Sequence, residues 1–410
     1  MANFSPEILF LSFTASTAIL YMINNRRRSR PNSPSLPSPP NKLPIIGHLH
    51  LFYKERKPHK SFAELAEKLG PIFYVQLGRV PAVVVSSNEL AKQVLKTHDQ
   101  VFASRPNLLS AKYLSVGPAA VTFSPYGAYW RQARKLCVTE LLSPKRVNSF
   151  KVVLDEEVNR FLENEEKEEG QKSRYLASVF VEVEELLTGF YYGDFFSEWV
   201  WPGWLTGYTP RVIKGTRNLL NSVEEIFDKT SKRKQLLDTS ALLLHGNENL
   251  IEVLRRVQKR DDLDVPITDD SLESIVSSSD KCTLEGYEIP AKTRILINNH
   301  AIGRDPKLFE NPHDFIPERF QQEDDIKDFK DEDFRFMRFG GGRRGCPGYD
   351  FGLNAVQWAL ARLLNHFDWA LPRGVSRGDV DLQEVYGFAA RKRVPLVLIP
   401  TVNKDYDFNP

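Results

Sequence analysis

Cysteine is almost missing from this chain: Cys137, Cys282 and Cys346 are the only three in 410 residues. Three widely spaced thiols build no multi-bridge framework, and without a CxxC pair they do not read as a zinc site. Each is by default a small buried hydrophobe, so one that carries chemistry has to show it through its surroundings. An excess of either charge is missing too. With 55 basic and 53 acidic side chains the formal charge is +2, which gives no reason to expect nucleic acid or a strongly acidic partner. No segment repeats. What is present is ordinary globular material, 41% hydrophobic and 11% aromatic, enough for one large core or two smaller ones.

Residues 8–25, ILFLSFTASTAILYMINN, run 18 positions without a charge, just long enough to span a bilayer. Glu7 precedes the run and Arg26, Arg27, Arg28 and Arg30 follow it, the reverse of a cleaved signal peptide. That order predicts an uncleaved signal anchor, a transmembrane helix over 1–25, with the rest of the chain on the cytosolic side. Six prolines in 31–44 then predict a stiff basic linker over 26–47, which separates the anchor from a globular unit over 48–410.

Within that unit SFAELAEKLG reads as a short amphipathic helix, with Ser61 and Glu64 as a capping box and Gly70 as the stop. IFYVQL and AVVVSS, joined by residues 78–81, predict a hairpin. Helical spacing then dominates, in NELAKQVLKTH, WRQARKLCVTELL, EEVNRFLENEE, TRNLLNSVEEIFD and NLIEVLRRVQ. A second β patch, CTLEGYEIPAKTRILIN, turns at Glu285 and Gly286, and VPLVLIP predicts a last strand. The body is mainly α with a small β region.

The stretch FGGGRRGCPG, 339–348, holds five glycines, two arginines and Cys346. Its glycines free the backbone for tight turns and close approach. No GK[ST] follows, so it is not a nucleotide loop. No second cysteine or histidine is local, so a redox pair is excluded and a metal thiolate remains. After Pro347 an apolar stripe of Phe351, Leu353, Val356, Leu360, Leu363, Leu364 and Phe367 predicts a helix. Cys346 thus stands at a helix N-terminus, where the dipole favours its anionic form.

The loop resembles the Phe-x-x-Gly-x-Arg-x-Cys-x-Gly signature of the cytochrome P-450 monooxygenases, at Phe339, Gly342, Arg344, Cys346 and Gly348. Further stretches resemble that family in the same order: PPNKLPIIG, Trp130 and Arg134 in WRQAR, CTLEGYEIPAKTRILIN, AIGRDP and FIPERF. Together they are similar to the plant microsomal branch, the clan numbered seventy-one. The resemblance implies that fold, and haem b with Cys346 as the axial thiolate of its iron. It implies Phe339 packed beside the cysteine, and Arg344, Trp130 and Arg134 at the haem propionates. It also implies a lipophilic substrate touching 106–121, 201–208 and 386–390, an NADPH-cytochrome reductase as partner, and the endoplasmic reticulum membrane as location.

Two family features are missing between DDSLES and CTLEGY: the long helix with its oxygen-activating Thr and acid, and the helix with Glu-x-x-Arg. The fold is therefore expected to be incomplete, with an internal deletion near 276–281. Asp238-Thr239, Glu252 with Arg255, and Glu332 with Arg335 match these motifs by letter but stand in the wrong segments. A smaller deficit is expected between 168 and 190. Arg319 of PERF is expected to be orphaned of its carboxylate, and no distal catalytic residue can be named. Three functions are compatible with these residues. They are a membrane-anchored haem-thiolate monooxygenase, a catalytically defective truncated or mis-spliced remnant of one, and a membrane-tethered interaction protein without cofactor.

Overall fold

The structure is a computed structural model that describes residues 35–52, 57–106, 108, 121–162, 168–188, 192–196, 201–236, 279–320, 334–385 and 391–403. The predicted anchor over 8–25 lies outside the described residues. Among the described residues no helix is long and apolar enough to cross a membrane.

Helix α1 spans Pro58–Leu69 and ends at Gly70, whose φ of 98° suits a residue without a β-carbon. It begins three residues before the predicted Ser61 cap. Pro58 fills the first turn, where no N–H partner is needed, and Lys57 stands at the cap position, so Ser61 and Glu64 form no capping box. Strands β1 (Ile72–Leu77) and β2 (Val80–Val85) form the expected hairpin, with Ile72 opposite Val85. Helix α2, Asn88–Lys92, is capped by the Ser87 hydroxyl and runs into a π turn over Gln93–Thr97. Helix α3, Ala128–Leu136, likewise runs into a π turn over Cys137–Leu141.

Helices α4 (Pro144–Ser149), α5 (Lys151–Leu162), α6 (Glu168–Thr188), α7 (Trp201–Leu205) and α8 (Tyr208–Leu236) follow. The stretch where a smaller deficit was expected forms most of the single helix α6. Val183 and Leu186 of α6 pack on Val212 of α8, and Gly215 lets the two helices approach: a β-carbon there would lie 3.3 Å from Leu186. The second β patch is β3 (Cys282–Leu284), β4 (Tyr287–Ile289) and β5 (Arg294–Ile297), followed by helix α9 (Asn299–Ile302). Glu285 and Gly286, both at positive φ, make the predicted turn.

The main sheet has the order β1-β2-β5, with β5 parallel to β2. Because strand side chains alternate, this small sheet separates two cores. Val83 and Val85 join Ile72, Leu90, Val94, Phe102, Leu284 and Ile302 on one face. Ala82 and Val84 join Phe52, Phe62, Phe73, Val75 and Leu77 on the other. Residues 37–48 lie along β1 like an extra strand: Tyr74 N–H donates to the Pro37 carbonyl at 2.8 Å, Gly78 N–H to Ile46 at 3.1 Å, and His48 N–H to Gln76 at 2.7 Å. Gly47 is required there, since a β-carbon would sit 2.2 Å from the Gln76 oxygen.

Helix α10, Tyr349–His366, follows the glycine loop. Its packed face is not the predicted apolar stripe. Phe351 meets Phe150 edge-on at 5.4 Å, and Trp358 donates to Asp155 of α5 at 2.8 Å, which turns Val356, Leu360 and Leu364 outward at 64%, 53% and 57% exposure. Phe367 belongs not to the helix but to β6 (Phe367–Ala370). Strands β7 (Glu384–Val385), β8 (Arg391–Lys392) and β9 (Ile399–Val402) complete the fold. VPLVLIP is extended only from Ile399, where β9 pairs with β6. Val394, Leu396 and Val397 before it pair with no strand among the described residues and are half exposed or more.

Strand β7 is tied to the first turn of α1. The Glu384 carboxylate accepts from His59 at 3.0 Å and pairs with Lys60 at 2.9 Å, while His300 of α9 meets the His59 ring at 5.0 Å. Burial raises the Glu384 pKa, but the His59 and Lys60 hydrogen bonds outweigh it and leave about 2. Burial, with repulsion from Arg304, His59 and Lys60 and opposed by Glu384, lowers His300 to about 4. A neutral folded His300 contributes stability that is complete above its unbound value of 6.5 and lost as pH falls through about 4. Stability is expected to drop by about 1 to 2 kcal/mol across that window, reduced by partial solvation. Urea unfolding at pH 7 and pH 4.5 checks it, and His300→Asn should flatten the slope. The Glu384 loss follows only below 4.5.

Candidate functional site

The glycine loop is closed by one main-chain bond, Cys346 N–H to the Phe339 carbonyl at 2.9 Å, and tightened inside by Gly345 N–H to Gly342 at 3.0 Å. Gly348 is the N-terminal cap residue of α10, so Cys346 stands just before that helix and Pro347 one position outside it. The Cys346 side chain is exposed. Phe339 packs edge-on against Tyr349 at 5.0 Å, on the same side as the start of the helix.

Two of the glycines are dictated by close contact, one with the π turn after α2 and one with the Phe334 ring. Gly342, at φ 61°, would put a β-carbon 1.9 Å from the Leu95 carbonyl oxygen. At Gly341 a β-carbon would lie 2.6 Å from the ring of Phe334, a buried residue itself at φ 60°. Gly348 makes only ordinary contacts, with 3.8 Å to Leu142 and 4.0 Å to the Cys346 sulfur. The loop is therefore clamped at 341–342 and open around the sulfur.

Trp130 of α3 is buried and stands at the centre of a group of arginines. Arg344 lies over its ring at 4.1 Å and Arg134 at 5.9 Å. Arg344 donates to the carbonyls of Ala103 at 2.6 Å, Val121 at 3.3 Å and Ser124 at 2.7 Å. The single Trp130 donor also goes to Val121, at 3.0 Å. Burial first, then repulsion from Arg105 and Arg134, pushes Arg344 down to about 9. Arg105 is lowered by burial alone, and its Nε is buried without a hydrogen bond among the described residues. Burial lowers Arg134 too, and the only charges that oppose it are the thiols of Cys346 and Cys137.

No salt bridge joins any of the three guanidiniums to a carboxylate among the described residues, and Tyr126 is the only other group that eases Arg344. Guanidiniums gathered in a part-buried place beside a cysteine form a receptor for anions. The structure thus brings together Cys346, Arg344, Phe339, Gly342, Gly348, Trp130 and Arg134. It adds Arg105, which sequence reasoning missed because an isolated arginine in FASRP has no periodic or motif signal.

The other expectations fare differently. Arg319 pairs with no carboxylate among the described residues, as expected, yet it is not left bare: its guanidinium donates to the carbonyls of Ile316, Glu310, Asn311 and Asp314 at 3.2, 2.6, 2.9 and 3.1 Å. Its own loop wraps it, so it needs no distant carboxylate. Cys137 and Cys282 have thiols raised by burial, the ordinary behaviour of packed cysteines. Asp238-Thr239, Glu252 with Arg255, Glu332, and the segments 109–120 and 386–390 lie outside the described residues. Trp204 and Leu205 in 201–208 are exposed.

Known proteins match the chain over most of its length. The family described as "Cytochrome P450" matches residues 37–263 and 266–396. Tryptamine 5-hydroxylase of Oryza sativa subsp. japonica is 34% identical, covering 98% of both chains. That alignment runs over 525 positions against 410 residues here, so at least 115 positions, the excess of one over the other, hold a residue of the relative alone. Premnaspirodiene oxygenase of Hyoscyamus muticus is 32% identical over 96% of this chain and 97% of its own. Among solved structures, retinoic acid bound cyanobacterial CYP120A1 superposes with a TM-score of 0.67 at 18% identity, covering 91% of this chain and all of the other, which shows the same fold. With its cysteine loop, its sheet and its sequence matched along nearly the whole length, the chain belongs to the cytochrome P-450 family.

Proposed function

We propose that the chain is a haem-thiolate monooxygenase in which Cys346 is the axial ligand and the arginines around Trp130 receive the propionates of haem b. The observation that carries this reading is the uncompensated charge of Arg105, Arg134 and Arg344 beside an exposed cysteine. A dianionic group there relieves what burial costs all three, and the unpaired Arg105 Nε gains an acceptor. Arg105 and Arg134 carry the open donors. Arg344 keeps two of its five N–H groups after its carbonyl bonds, so it ties the loop to Ala103, Val121 and Ser124 while still facing the anion. For Trp130 to reach a propionate, its donor has to leave Val121.

When bound, haem with a thiolate ligand supplies activation of dioxygen and transfer of one oxygen atom to substrate. The chain's own part is to hold Cys346 as its anion, to fix the loop through Gly342, and to neutralise the propionates. The names of its relatives, a hydroxylase and an oxygenase, support insertion of oxygen into a plant metabolite, which we take to be lipophilic. Electrons would come from an NADPH-cytochrome reductase at the endoplasmic reticulum membrane, where residues 8–25 would anchor a cytosolic globular part. The positions without counterpart are assigned near 276–281, between DDSLES and CTLEGY, and the excess of aligned positions over residues of this chain is what supports a deletion.

The test is the absorption spectrum of the purified full chain, reduced under carbon monoxide. A red-shifted Soret band is expected, and no haem uptake overturns the reading. A thiolate band without turnover of any lipophilic substrate would mark a catalytically defective chain. Arg105→Gln combined with Arg134→Gln is expected to weaken haem retention by roughly 10- to 100-fold, as loss of two charge-assisted bonds implies. Competition for bound haem by apomyoglobin measures it.

A further inference from the structure

Arg343, the neighbour of Arg344, has partners of its own. Its Nε lies 2.7 Å from a carboxylate oxygen of Asp99, and its Nη1 donates to the Tyr126 hydroxyl at 3.2 Å, with the guanidinium 5.6 Å over the Tyr126 ring. Tyr126 in turn packs against Trp130 at 5.6 Å. Asp99 stands just after the π turn whose Leu95 carbonyl presses on Gly342. Two consecutive arginines therefore hold Asp99 and Ala103 on one stretch and Val121, Ser124 and Tyr126 on another, Arg344 through carbonyls and Arg343 through a carboxylate and a hydroxyl. Asp99 is the only carboxylate seen to pair with an arginine of this loop among the described residues.

We infer that Asp99 is a positioning residue for the haem ligand, holding the Cys346 loop through Arg343 and setting the charge behind the thiolate. The inference rests on the haem reading above. Arg343 extends the same short turn, Gly342–Arg344, that leads into Gly345 and Cys346. A pull at Arg343 is passed along three residues to the sulfur. The pair also fixes a local charge balance: with Asp99 present the Arg343 cation is matched, and without it one more uncompensated positive charge stands in the turn that leads to Cys346, where the haem would be held. A positive field favours the state with one more electron. The two partners consequently have opposite electrical effects and the same mechanical one. A partly exposed pair adds little to global stability, so a change at the iron is not a by-product of unfolding.

The experiment uses the haem-loaded full chain as wild type and as Asp99→Asn, Asp99→Glu and Arg343→Gln. It measures the fraction of the reduced carbon monoxide complex in the thiolate form, and the ferric–ferrous potential. Asp99→Asn is expected to lower the thiolate fraction several-fold and raise the potential. Arg343→Gln is expected to lower the fraction likewise and lower the potential, and Asp99→Glu should restore both. Wild-type fractions in the variants, potentials that move in one direction for both, or no recovery in Asp99→Glu would overturn the inference while leaving a wild-type thiolate band untouched. A wild type that takes up no haem overturns the haem reading, and this inference with it.

Discussion

Cys346→Ser should remove the red-shifted Soret band entirely and cut haem-supported oxidation by at least ~100-fold, beyond what loss of an outer-shell partner costs a metal site. A serine hydroxyl is a weak ligand for iron, whereas a thiolate is a strong one. The sulfur is exposed, and the bond that closes the loop comes from the main chain, Cys346 N–H to Phe339. Folding should therefore be left nearly unchanged, with an unfolding free energy within about 0.5 kcal/mol of wild type. Urea titration beside the spectrum separates the two quantities. A thiolate band that persists in Cys346→Ser would assign the ligand to another residue.

Gly342→Ala is expected to do the opposite and damage the fold first. A left-handed backbone costs an L-residue about 1 to 2 kcal/mol, and the 1.9 Å approach to the Leu95 carbonyl demands a backbone shift of similar cost. A loss of about 3 kcal/mol follows, visible as a lower urea midpoint and as poor haem retention. Gly348→Ala is the control. Its new β-carbon would find 3.8 Å to Leu142, so a loss under about 1 kcal/mol is expected. Equal losses at the two positions would show that the loop is not clamped on the π turn.

These contrasts mark where the amino-acid sequence was legible. The β1–β2 hairpin, the Glu285-Gly286 turn and the Gly70 stop could be read because short β-branched and aromatic runs and positive-φ positions leave local signals. The cysteine loop could be read because its residues are contiguous. Contacts made across the chain left no such trace. Glu384 meets His59 over a separation of 325 residues, and Arg105 joins Arg344 only once the fold has formed. The predicted face of α10 failed for a related reason: periodicity gives the stripe, but Trp358 and Arg362, bonded to Asp155 and Asn159, decide which side meets α5. Arg319 was misjudged because a guanidinium can be satisfied by carbonyls, which every residue has and no sequence pattern marks.

The strand-like docking of residues 37–48 has a mechanical consequence. A pull arriving from the N-terminal side would load the Pro37–Tyr74, Ile46–Gly78 and Gln76–His48 bonds together, in shear, instead of opening them one at a time. Gly47 is therefore no swivel, and Leu36, which packs against the core, is held as well. The ten residues between act as a short lever fixed to β1. A torque applied at Leu36 would then turn the sheet as a body, and the cysteine loop, clamped on the π turn, would turn with it.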